Sequence, residues 1–213
     1  MFTAKDFRQE AWDRLDGYWG TMALATLLNL LITGACGALS RYYIGAIAEL
    51  ILAGPLTLGF AILSLNIARS VPSSVNNMFD GFKNFGSALG LYFLNSLLIF
   101  LWSLLLIIPG IIKSFSYSMS YYILADNPQM SCNDARVTSM EMMKGNKWRL
   151  FCLWFSFIGW WLLSILTLGI LFLWTIPYMQ VATAAFYDDL KTRNEQKAQE
   201  ERRVQNLYNR YRY

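Results

Sequence analysis

The chain has 213 residues, 55% of them hydrophobic, 16% aromatic and only 15% charged, with mean hydropathy +0.33, net charge +4 and no histidine. Soluble domains carry about 25% charged residues, so this composition describes a chain solvated by lipid, long enough for one bundle. The missing histidine excludes Ser-His-Asp and Cys-His triads, HExxH metal sites and histidine proton relays. Cys36, Cys132 and Cys152 lie far apart without CxxC spacing, which argues against a disulfide framework or a zinc site. The basic residues fall in tails and between apolar runs rather than on one face, so nucleic acid is not an expected partner.

In chain order, residues 3 to 16 predict an amphipathic helix lying on the membrane. Thr3 and Asp6 form a capping pattern, and Phe7, Ala11, Leu15 and Tyr18 share one face. Span 1 follows at 18–36, with Asn29 its only strongly polar residue. Gly34-Ala35-Cys36 faintly resembles a lipoprotein cleavage box, but the long acidic stretch before it and Thr33 in place of leucine predict a retained span. Span 2 covers 43–67 and contains Glu49 and a Gly54-Pro55 pair expected to kink it.

Beyond Arg69 and Pro72, the stripe Val75, Met78, Phe79, Phe82 and Phe85 predicts a second interfacial helix. Spans 3 and 4 are placed at 88–105 and 109–124, divided at Pro109-Gly110. Residues 126–147 are polar; Ser131 and Asp134 repeat the capping pattern, and Ala135, Val137, Met140 and Met143 give a partial apolar face.

Between Arg149 and Asp188 no charged residue occurs, which leaves room for two spans of about 20 residues hinged near Thr167-Leu168-Gly169. Trp148, Trp160, Trp161, Trp174, Tyr178 and Tyr187 are expected in aromatic belts at the two interfaces. A charged tail, 191–213, completes the chain after a membrane bundle of residues 1–190.

The fold expected is therefore all-α: a multi-pass transmembrane bundle of about six spans in three hairpins, each hairpin preceded by an interfacial amphipathic helix. Each odd span has an aromatic or basic entry (DGYWG, FKNFG, GNKWR), and each even span a proline (Pro55, Pro109, Pro177), which predicts a threefold internal repeat. Lysine and arginine crowd the segments on one side. Arg41 is the only basic residue of the loops opposite, and Lys113 lies within span 4. That asymmetry predicts both termini in the cytoplasm.

ILADNPQMSCNDA, followed by MEMMKGNKWRLFCLWFSFIGWWLLSILTLGILFLWTIPYMQVATAAFYDDL, resembles bacterial membrane proteins of "domain of unknown function 975". The similarity extends from the N-terminal helix to about Leu190. The resemblance implies fold, residence in a bacterial inner membrane and bacterial origin, and carries over no catalytic or ligand-binding residue.

Polar groups inside a membrane are the default candidates for function. Glu49 and Lys113 are the two charges well inside predicted spans, and could pair. Asn29, Asn66, Asn95 and Gln180 could line a polar path, although interhelical hydrogen bonding is the commoner use. Asp126, Asp188 and Asp189 could hold a divalent ion, but capping or pairing with Arg and Lys is commoner. No catalytic group, metal or cofactor is expected. Membrane lipids are the expected partners, with a protein partner or a second copy open. The leading functional expectation is a non-enzymatic scaffold, accessory or lipid-interacting protein. The alternative is a transporter or permease-like protein for a small or lipidic substrate, which a polar cavity reaching between spans 2, 4 and 6 would favour. The basic, aromatic end of the tail suits anionic lipid.

Overall fold

The computed structural model describes residues 2–39 and 44–211, all of whose regular elements are helical. Ten α-helices follow one another: α1 (Ala4–Leu15), α2 (Trp19–Leu39), α3 (Ile44–Ala68), α4 (Phe85–Leu105), α5 (Ile107–Tyr117), α6 (Ser120–Asp126), α7 (Cys132–Met142), α8 (Lys147–Phe155), α9 (Ile158–Leu166) and α10 (Phe172–Tyr211). A 3-10 helix, η1 (Val75–Asn84), runs directly into α4. Arg41, the first residue of predicted span 2, Arg212 and Tyr213 lie outside the described residues.

Four helices are long and apolar enough to cross a membrane: Trp19–Leu39, Ile47–Ala68, Val75–Leu105 and Lys147–Leu166. This suggests a membrane protein, and the surface agrees. Leu104, Ile108 and Leu166 are 74%, 72% and 80% exposed, among many large apolar side chains left uncovered, which water would not tolerate. The other two expected spans do not meet that length and composition. The fourth is divided into α5 and α6, and the sixth is the front of a long helix that turns polar at Asp188.

Helix α1 obeys its sequence signals but not its expected place. The Thr3 amide donates to the Asp6 carboxylate at 2.7 Å, and Phe7, Ala11 and Leu15 are buried. What buries them is protein: Phe7 meets Phe186 edge-on at 5.4 Å, and the Tyr178 hydroxyl donates to the Arg8 carbonyl at 3.0 Å. The stripe is spent on α10 rather than on lipid. We call this end, where α1 meets α3, α8 and α10, the polar end of the bundle.

The Gly54-Pro55 pair does not break α3, which runs unbroken from Ile44 to Ala68. It is a seat for a neighbour. A side chain at Gly54 would lie 2.7 Å from the Ala88 carbonyl, and one at Gly59 would overlap the Met78 backbone. Gly81 in η1 presses in turn on the backbone of Pro55 and Gly59. With Met78 and Gly81 buried three residues apart, η1 takes the three-residue period of a 3-10 helix and packs into α3 rather than floating at an interface.

The α4–α5 boundary lies at Leu106, whose φ of −159° and ψ of 140° leave the helix, three residues before the expected break. Pro109 falls in the first turn of α5, where its missing N–H breaks no intrahelical bond. Pro177 is likewise carried inside α10. Pro55 and Pro177 thus lie inside continuous helices and Pro109 at a helix start, and the expected proline-broken repeat is not visible in them. The α9–α10 turn is where the sequence puts it: Leu168 and Gly169 have φ of 53° and 89°, and the Gly169 amide closes on the Ser164 carbonyl at 2.8 Å. Trp148, Trp161 and Trp174 are exposed as belts require, whereas Tyr178 and Tyr187 are core residues at 7% and 1% exposure.

Candidate functional site

A cavity of about 440 Å³ opens inside the bundle. Thr26 and Asn29 of α2 line it, with Thr57 and Phe60 of α3, Tyr92, Asn95 and Ser96 of α4, and Ser114, Tyr117, Ser118, Tyr121 and Tyr122 of α5–α6. Trp154 of α8 and Gln180 and Thr183 of α10 complete the wall. Phe60 and Thr57 precede Ala68 by eight and eleven positions, about 12–16 Å along α3 at 1.5 Å per residue. The wall thus lies well inside the apolar part of the helices.

Asn95 is 6% exposed, and its Oδ1 has no hydrogen-bond partner. An orphaned buried carbonyl costs about 1–3 kcal/mol, so its retention in the wall needs a reason. Gln180 is half engaged: its Oε1 accepts from the Tyr122 hydroxyl at 2.9 Å. The Trp154 indole N–H reaches the Thr183 hydroxyl at 3.4 Å.

A helix break borders the cavity. Between α5 and α6 the Met119 amide donates to the Ser139 hydroxyl at 3.2 Å, and that hydroxyl donates to the Ser116 carbonyl at 2.8 Å. Ser139 belongs to α7 and is fully buried. One side chain from a later helix therefore satisfies the backbone groups that the break releases, as non-helical backbone at membrane depth requires. The expected apolar face of α7 is accordingly adjusted: Ala135 and Met143 are buried, but Val137 is exposed and Ser139 and Met142 take the inner positions.

Toward the polar end, Tyr122 stacks on Tyr187 with ring centroids 5.7 Å apart, and the Tyr187 hydroxyl donates to Asp126 at 3.0 Å. Asp126 in turn receives Arg69 Nη1 at 2.6 Å, Arg69 Nη2 at 2.9 Å and Lys191 Nζ at 2.7 Å. Arg69 also holds Asp188 at 2.6 Å. Burial works to raise the pKa of the Asp126 carboxyl, but the hydrogen bonds from Arg69 and Lys191 outweigh it and leave it at about 2. The hydrogen bonds to Asp126 and Asp188 push Arg69 above its ordinary value. A second pairing joins Asp189 to Arg149 and Arg193, each at 2.9 Å. These aspartates are engaged with cations, and among the described residues no cluster of three or more metal-ligating side chains occurs.

The candidates named from sequence divide cleanly. Asn29, Asn95 and Gln180 come from three helices to one cavity wall. Asn66 lies outside it. Lys113 sits over the Trp102 ring, 4.8 Å from its centroid, and among the described residues forms no ion pair with Glu49, which is exposed. The Tyr122–Tyr187 stack and Ser139 had no sequence signal, because each acquires its meaning from a partner on another helix.

The family model described as "Protein of unknown function (DUF975)" matches residues 1–116 and 104–194. The chain belongs to this family. The match ends four residues past Leu190, so the DUF975 region holds the whole cavity and the ion cluster, while the rest of α10 lies beyond it. No curated protein and no solved structure matches the chain.

Proposed function

We propose that this DUF975 protein is a non-enzymatic, permease-like protein of a bacterial inner membrane, which binds a small solute within the bundle and passes it across. The observation that carries this reading is the cavity inside the bundle, mainly apolar but edged by polar side chains from several helices, among them Asn95, whose Oδ1 has no partner among the described residues. A scaffold would gain nothing from leaving such a group unsatisfied among packed helices. The interrupted α5–α6 beside the cavity supports the same reading, since interrupted spans are what membrane transporters use at their binding sites.

The topology proposed with it has six spans and both termini in the cytoplasm. Helices α2 with α3, α4 with α5, and α9 with α10 pack as neighbours, as three hairpins would. The helices α5 and α6 together, and the front of α10, supply the two spans beyond the four apolar ones. Arg14, Arg69, Lys191 and Arg193 gather at the polar end, where the positive-inside rule places cytoplasm. From the cavity wall to the polar end run the Tyr122–Tyr187 stack and then the Arg69–Asp126–Asp188 cluster, which tie α3, α6 and α10 together and form the inner gate of this reading.

A second reading, the scaffold or lipid-interacting one, has one observation in its favour. Past Arg193 the helix α10 continues as an almost wholly exposed rod bearing Arg202, Arg203 and Arg210, a shape suited to anionic lipid or a partner.

Osmotic swelling of proteoliposomes containing the full chain tests the choice. Neutral, cationic and anionic solutes small enough for the cavity are offered in turn. The permease reading expects one class to enter faster than through protein-free vesicles, with the gain lost in Asn95→Leu. Equal rates for every solute with and without protein would overturn it.

A further inference from the structure

The hydrogen-bonding character of the cavity wall narrows what it takes, given the binding reading above. No Asp, Glu, Lys or Arg lines it. An unpaired charge at bilayer depth costs roughly 2.5–3.5 kcal/mol on insertion scales, so an anion finds no compensation there and a cation finds no carboxylate, only ring faces.

The polar groups set in this mainly apolar wall are neutral donors and acceptors. Thr26, Thr57 and Thr183 spend their hydroxyl protons on carbonyls of their own helices, at 2.8, 2.7 and 2.8 Å. Only lone pairs remain to them for a ligand. Asn95 adds its side-chain amide, whose enclosed oxygen has no partner among the described residues. Tyr92, Tyr117 and Tyr121 line the cavity, their hydroxyls without a hydrogen bond among the described residues, and each hydroxyl can both donate and accept. Groups that donate and accept from the same atom are hydroxyls, and the aromatic faces beside them suit the C–H surface of a carbon skeleton.

We propose that the cavity binds an uncharged, polyhydroxylated small molecule, with the side-chain amide of Asn95 hydrogen-bonding one of its hydroxyls. The volume of about 440 Å³ falls within the range of ligand sites, 300–1,000 Å³.

Calorimetric titration of the purified full chain in detergent tests this, with myo-inositol, glycerol, choline and acetate as probes at millimolar concentration. That range keeps the general stabilising action of polyols out of the measurement. The expected result is saturable heat with myo-inositol or glycerol and none with choline or acetate. Asn95→Leu is expected to weaken the affinity about tenfold, the loss of one hydrogen bond. Tyr92→Phe, which deletes a single oxygen and preserves packing, is expected to weaken it severalfold. Saturable binding of choline or acetate with none of either polyol would overturn the ligand class while leaving the site standing. Silence from all four probes, together with equal swelling rates with and without protein, would remove the site itself. Silence together with accelerated entry of a charged solute would again remove only the ligand class.

Discussion

Arg69 grips Asp126 with both terminal nitrogens, Nη1 on Oδ1 at 2.6 Å and Nη2 on Oδ2 at 2.9 Å, across 57 positions of sequence. The fork matters because of where it sits. The Asp126 side chain is 9% exposed, and the Arg69 side chain is 34% exposed. Geometry of this kind is the strong form of an ion pair. Removing one partner would leave the other poorly solvated. Asp126→Ala should cost about 2–3 kcal/mol, somewhat below the value for a fully buried pair. Thermal unfolding in detergent checks this, and the same variant should speed solute entry into proteoliposomes if the cluster is the inner gate. A melting temperature equal to that of the parent chain would show the cluster to be ornamental.

Acid should release the same cluster. The Asp126 carboxyl ordinarily titrates near 3.8 and here at about 2, between Arg69, Lys191, Tyr187 and, through Arg69, Asp188. A lowered carboxyl pKa stabilises the fold fully above 3.8, and this contribution vanishes as pH falls through 2. With its half-exposed partners the contribution is about 1 kcal/mol after screening. The part of the melting-temperature loss that depends on Asp126 should therefore appear between pH 4 and pH 2 and be absent in Asp126→Asn. An Asp126-dependent loss already complete at pH 5 would contradict the assignment.

Gly59 and Gly81 should behave unlike Gly20 and Gly86. At Gly59 and Gly81 a methyl group meets backbone of the opposing element, which cannot move aside cheaply. Gly59→Ala or Gly81→Ala should cost about 3 kcal/mol, the upper end of overpacking, or prevent stable purification. Gly20→Ala and Gly86→Ala, whose added methyl meets nothing within 4 Å, should be neutral or mildly stabilising because alanine favours helix. Comparable stability for all four would show that η1 does not press on α3 as described.

Ser139→Ala isolates the helix break. The Met119 amide and Ser116 carbonyl lose their common partner, which should cost about 1–3 kcal/mol. Hydrogen exchange should rise at Met119 and its neighbours in α6 while α2 and α3 stay protected. Unchanged exchange at Met119 would mean that another group holds the break.

Much of this arrangement was legible from local pattern. The capping pairs Thr3–Asp6 and Ser131–Asp134, the stripe Phe7, Ala11, Leu15 and the turn at Leu168–Gly169 depend on near neighbours, and the sequence displays near neighbours. The illegible parts are long-range. Nothing local distinguishes Tyr187 in a core stack from a tyrosine in an interfacial belt, since both sit at the end of an apolar run. The seat at Gly54–Gly59 reads as a kink because its occupants, Met78 and Ala88, are elsewhere in the chain. The break at Ser118–Met119 has no glycine or proline to announce it, because Ser139 supplies the missing bonds from α7. At the site, Asn29, Asn95 and Gln180 were legible as polar residues in apolar runs, but their convergence was not.

The central claim is that water or solute reaches Asn95 inside the bundle. It is tested most directly by Asn95→Cys in a chain whose Cys36, Cys132 and Cys152 are replaced by alanine, labelled in membranes with a small polar thiol reagent. Phe93→Cys, on the 54% exposed outer face of the same helix, serves as the lipid-facing control. The account predicts that the thiol at 95 reacts readily and the thiol at 93 does not, because only a thiol that meets water ionises and reacts. An unreactive thiol at 95, in a protein that still melts cooperatively, would contradict it.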